Sequence, residues 1–99
     1  MPTLNVPTVT PVPGTNSVVT TGGTAVQAAP GNINGGFITN PATAVGTLFV
    51  DPVASATTTA QGTTFGLAPG QTWTMIPGQT TPTTVNAADN GHEFTVVVF

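Results

Sequence analysis

Glycine, proline and threonine set the first limit on what this chain can fold into. Proline interrupts the hydrogen bonds of a helix interior, glycine costs about 1 kcal/mol there, and threonine is a weak helix former. The 99-residue sequence contains 10 Pro, 12 Gly and 22 Thr, spread so that hardly any stretch favours a helix. We therefore expect one all-β domain without a transmembrane helix, since no apolar stretch approaches the length that a membrane span requires.

The charge content is equally unusual. The sequence has no Lys or Arg and only three acidic residues, Asp51, Asp89 and Glu93. Binding to nucleic acids and to anionic membranes relies on basic side chains, so neither kind of partner is expected. Well-behaved designed surfaces are about 25–35% charged, against 3% of this chain. The deficit favours a protein that works within an assembly; the alternative is that Thr, Asn and Gln hydrate the surface by themselves.

Residues 1–15 contain four prolines separated by aliphatic residues. Proline and the residue before it are biased towards extended conformations, so this segment could span about 45 Å at about 3.1 Å per residue. We predict an extended N-terminal arm over residues 1–15 and a β domain over residues 16–99, with a disordered tail as the alternative for the arm. The arm residues expected to contact a partner are Leu4, Val6, Val9 and Val12.

From residue 16 onwards, short β-prone runs alternate with turn sequences, which is typical of a small antiparallel β-sandwich or barrel. We predict about seven short strands in a jelly-roll-like arrangement. The turn sequences indicate a tight hairpin at Gly22-Gly23, a second hairpin at Asp89–Gly91, and a type II turn at Ala68-Pro69-Gly70. The candidate strand segments are residues 17–21, 24–28, 37–40, 46–51, 63–67, 71–76, 83–87 and 93–99.

Two aromatic residues are candidate functional positions. Alternation along residues 72–75 predicts Trp73 and Met75 on a buried face and the two threonines on the opposite face. Trp73 is thus expected in the core, with a sugar-stacking platform as the alternative. Phe99 ends an apolar strand, so we expect it to be tied into the sheet or into an interface.

Little in the sequence indicates chemistry. His92 is the only histidine, beside Glu93 and close to Asp89. A catalytic base needs an orienting partner and a nucleophile, and a metal site usually needs three or four ligands. We expect these three polar residues to mark the solvated end of the second hairpin, and we predict no catalytic residue, cofactor or metal site. A weak Ca²⁺ site shared between subunits is the alternative, because Asp51, Asp89 and backbone carbonyls offer the oxygen ligands that suit that ion.

Four motifs follow one another between residues 24 and 99: TAVQAAPGNINGGFITNP, GTLFVD, TTFGLAPGQTW and FTVVVF. In this order they resemble the small β-sandwich proteins of tailed-bacteriophage virions. The resemblance implies a capsid decoration, cement or head-fibre subunit, commonly oligomeric, that is assembled in the host cytoplasm and located on the virion. One departure is that basic residues often precede the Phe37 strand in such proteins, whereas this chain has Asn34, Gly35 and Gly36.

These observations lead us to expect a non-enzymatic virion structural protein. Its partners would be the major capsid protein or other virion subunits, bound through apolar and backbone contacts, and it would form a homo-oligomer, with a trimer favoured. Two alternatives remain. One is a receptor- or glycan-binding spike module that uses the loop at residues 53–62 together with Trp73. The other is a subunit of a bacterial surface polymer, which the Thr-rich, Lys-free composition suggests.

Overall fold

The computed structural model describes residues 10–99, which form strands, turns and loops without any helix. This confirms the predicted all-β antiparallel fold, and within these residues there is accordingly no helix that could cross a membrane. The strands are β1 (Val12–Pro13), β2 (Val18–Val19), β3 (Val26–Ala29), β4 (Gly36–Thr39), β5 (Leu48–Asp51), β6 (Phe65–Leu67), β7 (Thr72–Met75), β8 (Thr83–Asn86), β9 (His92–Glu93) and β10 (Thr95–Val98).

The strands form three antiparallel sheets. The first sheet has the order β1-β10-β4-β7, the second has the order β3-β8-β5-β6, and β2 pairs with β9 in a small third sheet. There are ten strands, more than the predicted number of about seven: the eight candidate segments become ten because β1 lies within the predicted arm and because the segment 93–99 is divided. Phe94 interrupts that segment, and its backbone N–H donates to the carbonyl of Ser17 at 3.0 Å.

The first and second sheets pack face to face as a β-sandwich. Alternate residues of each strand point between the sheets, and fully buried aliphatic side chains fill that layer. Both sheets contribute buried side chains to this layer. The buried core residues of the strands are Val19, Ala28, Ala29, Ile38, Leu48, Val50, Leu67, Met75, Val85, Val96 and Val98.

The two sheets are joined along both edges. On one side, Thr15 donates its backbone N–H to Ala28 of β3 at 2.9 Å, directly after β1 has paired with β10. On the other side, the rings of Phe65 and Trp73 meet edge to face, with centroids 5.2 Å apart. Residues 12–15 of the predicted arm therefore lie against the body.

Both predicted hairpins are wrong. The strands on either side of Gly22-Gly23 do not pair with each other, because β2 pairs with β9 and β3 pairs with β8. The same holds around Asp89–Gly91, where β8 belongs to the second sheet and β10 to the first. A turn sequence fixes where the chain reverses. The choice of strand partner depends instead on which faces must come together to bury the core.

The third turn is confirmed, as is the alternation that follows it. Gly70 has a φ of 87°, and the N–H of Gln71 donates to the carbonyl of Ala68 at 3.0 Å, as a type II turn requires. In β7, Met75 is buried and Trp73 is half-buried, whereas Thr72 and Thr74 are exposed. This turn carries the chain from the second sheet to the first.

Gly36 offers a direct test of the packing around the first sheet. Its φ is 144°, and an added Cβ would clash with the carbonyl oxygen of Val97 and lie 2.7 Å from Cε of Met75. Gly36→Ala is therefore expected to lower the free energy of unfolding by at least about 2 kcal/mol, measured by urea denaturation. Gly46→Ala is the matched control, since nothing lies within 4 Å of its added Cβ. Equal unfolding midpoints for the two variants would contradict this packing.

Candidate functional site

The outward side of the first sheet is the most distinctive surface of the described chain. Because Ile38, Met75 and Val98 point into the core, their neighbours in the strands point outwards. Residues that pair across an antiparallel sheet share a face, and Val97 lies opposite both Phe37 and Pro13. Continuing the same alternation places Phe99 and Ile76 on this side.

We call this surface the open face and define it by five apolar residues: Pro13, Phe37, Ile76, Val97 and Phe99. Ile76 is 62% exposed and Phe99 is 37% exposed, while Phe37 and Val97 are half-buried. An added Cβ at Gly35 would lie 3.9 Å from Cδ2 of Phe99, so that ring lies beside a position with no side chain. Among residues 10–99, each of these five residues therefore keeps part of its surface exposed.

The side chains of the open face differ between its two ends. At the end opposite Phe99, the outward positions are Thr39, Thr72 and Thr95, and the hydroxyls of Thr39 and Thr72 are 2.7 Å apart. Thr74, opposite Phe37, also points outwards. The end that carries the five apolar residues therefore includes one threonine and meets a threonine-rich end, on a surface without any charged side chain. Such a surface can bind another protein through apolar contact and hydroxyl hydrogen bonds, but not through ion pairs.

The second sheet does not present a comparable surface. Residues 52–64 cross the middle of its outward side and are held there by side chains of β8. Thr84 donates its hydroxyl to the carbonyl of Ala54 at 3.0 Å and accepts from the N–H of Ala56 at 2.8 Å. The side-chain amide of Asn86 donates to the carbonyl of Ala56 at 2.9 Å. The chain thus covers one outward sheet face with its own loop and leaves the other open.

Asp51 anchors both ends of the covering loop. Its Oδ1 accepts from the backbone N–H groups of Val53 and Ala54 at 2.8 and 2.7 Å, and its Oδ2 accepts from the hydroxyls of Thr63 and Thr64 at 2.8 Å each. Burial alone raises the pKa of this carboxyl. The backbone donors, followed by the two hydroxyls, outweigh burial and hold the pKa below its ordinary value.

These hydrogen bonds remove the basis of the calcium alternative. A carboxylate ligates Ca²⁺ through lone pairs that are not already engaged, and both oxygens of the buried Asp51 are occupied by donors of the chain itself. Within residues 10–99, moreover, no three His, Cys, Asp or Glu side chains come together in a group that could hold a metal ion.

His92 is buried, so the prediction that it lies at a solvated hairpin end is wrong. Its Nε2 lies 2.8 Å from Oδ1 of Asn40, which can only accept, so Nε2 carries the proton. The amide of Asn40 donates to the carbonyls of Gly46 and Leu67 at 2.9 and 2.8 Å, which fixes its orientation. His92 therefore donates to a buried amide and does not make the contacts with a carboxylate and a nucleophile that a catalytic base requires.

One open pocket of about 230 Å³ adjoins His92. It is lined by Pro41, Ala44 and Val45 on one side and by Gly91 and Glu93 on the other. Val45 is 95% exposed at its rim. The pocket contains one carboxylate and one imidazole that is already committed to Asn40, so it lacks a set of converging polar groups that would orient a substrate.

The structure places the predicted site residues at separate positions. Trp73 packs against the core beside Phe65, in agreement with a core role. The backbone of Phe99 extends the first sheet, because its N–H donates to Gly35 and its carbonyl accepts from Asn34. Val12 pairs with Val98 and is 47% exposed. The other arm residues, Leu4, Val6 and Val9, lie outside the described residues.

The two parts of the predicted glycan site are not brought together. The loop at residues 53–62 lies on the outward side of the second sheet, where Thr84 and Asn86 hold it. Trp73 lies on the inward side of the first sheet, in the same row as Ile38. The two are separated by the thickness of the second sheet.

Sequence reasoning missed two features of this region. The open face could have been found, because the period-two alternation that buries Met75 and Val98 also places Ile76 and Phe99 outwards. No local sequence pattern indicates the structural role of Asn40, since its three partners lie 6, 27 and 52 residues away along the chain.

In comparisons with known proteins, no family model, no curated protein and no solved structure matches this chain. The function is therefore inferred from the residues and geometry of this chain.

The lowered pKa of Asp51 predicts how stability depends on pH. Folding favours the charged form, so the stabilisation is complete above the unfolded-state pKa of about 3.9 and is lost as the pH falls through the lower folded-state value. Asp51→Asn should flatten the acidic limb of the stability curve. At pH 7 it should also cost at least about 1 kcal/mol, because one neutral carbonyl replaces two charged oxygens.

Chemical denaturation at a series of pH values measures both effects. Asp89→Asn is the matched control, since it removes an exposed carboxylate that carries no such set of donors. An Asp51→Asn variant that keeps the full acid-dependent loss of stability would show that Asp51 is not the anchor of the loop.

Proposed function

We propose that this protein is a non-enzymatic structural subunit that joins a larger protein assembly through its open face. The observation that carries the proposal is an apolar, uncharged sheet face that residues 10–99 leave uncovered. The opposite outward face is covered by a loop of the same chain. The chain covers the outward side of the second sheet with its own loop but leaves that of the first sheet exposed. We therefore infer that a partner covers the open face.

The absence of basic residues determines how such a subunit binds. With no Lys or Arg, the chain offers no basic side chain to an acidic partner surface, and the open face has no acidic side chain that could pair with a basic one. The remaining contributions are apolar burial, worth about 25 cal/mol per Å², and hydrogen bonds from backbone and threonine groups. Apolar burial is insensitive to screening, so this mode of adhesion is suited to a permanent position in an assembly.

The biological form that we propose is a capsid decoration or cement subunit of a virion, with the major capsid protein or other virion subunits as the partner. This form rests on the motif resemblance alone. Two of the resembling motifs contain structural positions of this fold: Asn40, the penultimate residue of the first motif, is a buried bridging residue, and Pro69-Gly70 forms the turn between the sheets. Motifs made of such structural positions are compatible with an adhesive role, which requires no active site.

No specific observation favours the alternatives. The glycan-binding module would need the loop at residues 53–62 and Trp73 in one site, and they lie on different sides of the second sheet. The surface-polymer subunit is not distinguished from the decoration subunit by any contact in the structure.

Binding to the assembly is expected to change little with ionic strength. Raising the salt concentration from 0.1 M to 1 M shortens the screening length from about 10 Å to about 3 Å, which weakens ion pairs but not apolar contacts. The measurement is co-sedimentation of the protein with particles from its native source at both salt concentrations. Release at the higher concentration would contradict adhesion through the open face.

A charge on the open face should abolish the same binding. Ile76→Asp places a carboxylate at an exposed position, so it should leave the fold intact while adding the cost of burying an unpaired charge in the contact. Val45→Asp is the matched control, because Val45 is exposed away from the open face. Equal co-sedimentation of the two variants would rule out this face.

A further inference from the structure

The open face is too small to hold a partner by itself. Four strands spaced about 4.8 Å apart, with five residues of about 3.4 Å each, give a face of about 300 Å². A stable protein interface buries about 800 Å² on each partner. A second element must therefore contribute contact area, and residues 1–9 are the part of the sequence that lies outside the described residues.

The position of β1 determines where those residues lead. Val12 lies opposite Val98 in an antiparallel pair, so Pro11 is level with Phe99 and Thr10 lies beyond the end of β10. Pro11 biases Thr10 towards an extended conformation. A return onto the open face of the same copy would require the chain direction to reverse before Thr10, whereas a neighbouring copy can be reached without a reversal.

The composition of residues 1–9 matches the open face. The segment MPTLNVPTV carries no charged side chain and alternates aliphatic residues with proline. Proline-rich extended segments bind to surfaces lined by aromatic rings, and the open face presents Phe37 and Phe99. Because proline lacks an N–H group, such a segment is better suited to lie across a sheet face than to continue its edge. Nine extended residues span about 28 Å, which exceeds the width of about 19 Å of four strands.

We propose that residues 1–9 of one copy cover the open face of a second copy, so that neighbouring copies exchange their N-terminal segments. This inference rests on the proposed function, because it names the neighbour that occupies the face assigned there to assembly. Each exchange adds the contact area that the sheet face lacks, and it buries apolar surface from both copies without burying a charge.

Sedimentation equilibrium of the purified full-length chain, without any other protein, tests the exchange. The wild type is expected to be oligomeric. Deletion of residues 1–9 and the substitution Ile76→Asp should each raise the dissociation constant at least about 100-fold. The control Val45→Asp should leave the dissociation constant unchanged. Circular dichroism and urea denaturation of each variant establish that the β-sandwich is retained.

A cross-linking experiment distinguishes a second copy from the same copy. A photoreactive amino acid replaces Leu4 in isotopically heavy chains, which are mixed with light chains before irradiation. Exchange predicts heavy-to-light cross-links from position 4 to peptides that contain Phe37 or Ile76. Cross-links confined to one copy would overturn the proposal in favour of self-coverage, and cross-links to other surfaces would remove the open face as the docking site.

The two proposals can fail separately. A wild-type chain that is monomeric at all concentrations, yet binds to particles in a manner that Ile76→Asp abolishes, would overturn the exchange and preserve the proposed function. A chain that exchanges its N-terminal segment but does not bind to particles would preserve the exchange and overturn the capsid-decoration role.

Discussion

The side-chain amide of Asn40 is the interaction on which the sandwich depends. From the end of β4 in the first sheet, it donates to the carbonyl of Leu67 in the second sheet and to that of Gly46 in the segment leading to β5. Its oxygen accepts from His92 of the small third sheet. One fully buried, uncharged group therefore joins all three sheets, and its hydrogen bonds with Leu67 and His92 are themselves buried, away from competing water.

Asp51 and Asn86, two other buried polar residues, are likewise held by hydrogen bonds with uncharged groups. A chain without Lys or Arg cannot neutralise a buried carboxylate with a cation, so Asp51 is held by backbone N–H groups and threonine hydroxyls. Asn86 and Thr84 secure the covering loop in the same neutral way. These buried groups need no Lys or Arg as a partner. The fold is therefore compatible with an outer surface that also lacks basic side chains. An uncharged sheet face is the feature that links the composition of this chain to the proposed role in an assembly.

The sequence was sufficient to predict the class of fold, because Pro, Gly and Thr exclude helices and because strand alternation is a local property. The buried side of β7 and the turn at Pro69-Gly70 followed from such local patterns. The pairing partners did not, since Gly22-Gly23 and Asp89–Gly91 signal a reversal without specifying which strand completes the core. His92 was misplaced for the same reason: its partner Asn40 lies 52 residues away along the chain.

The proposed function requires that the open face is covered when the protein is in its working assembly. Hydroxyl-radical footprinting of the native assembly, compared with the isolated chain at high dilution, measures the accessibility of individual side chains. If the open face is covered, oxidation of Phe37, Ile76 and Phe99 falls several-fold on assembly while that of Val45 and Val53 is unchanged. Equal oxidation of the open-face residues in both states, with protection of Val45 or Val53 instead, would contradict the proposed function.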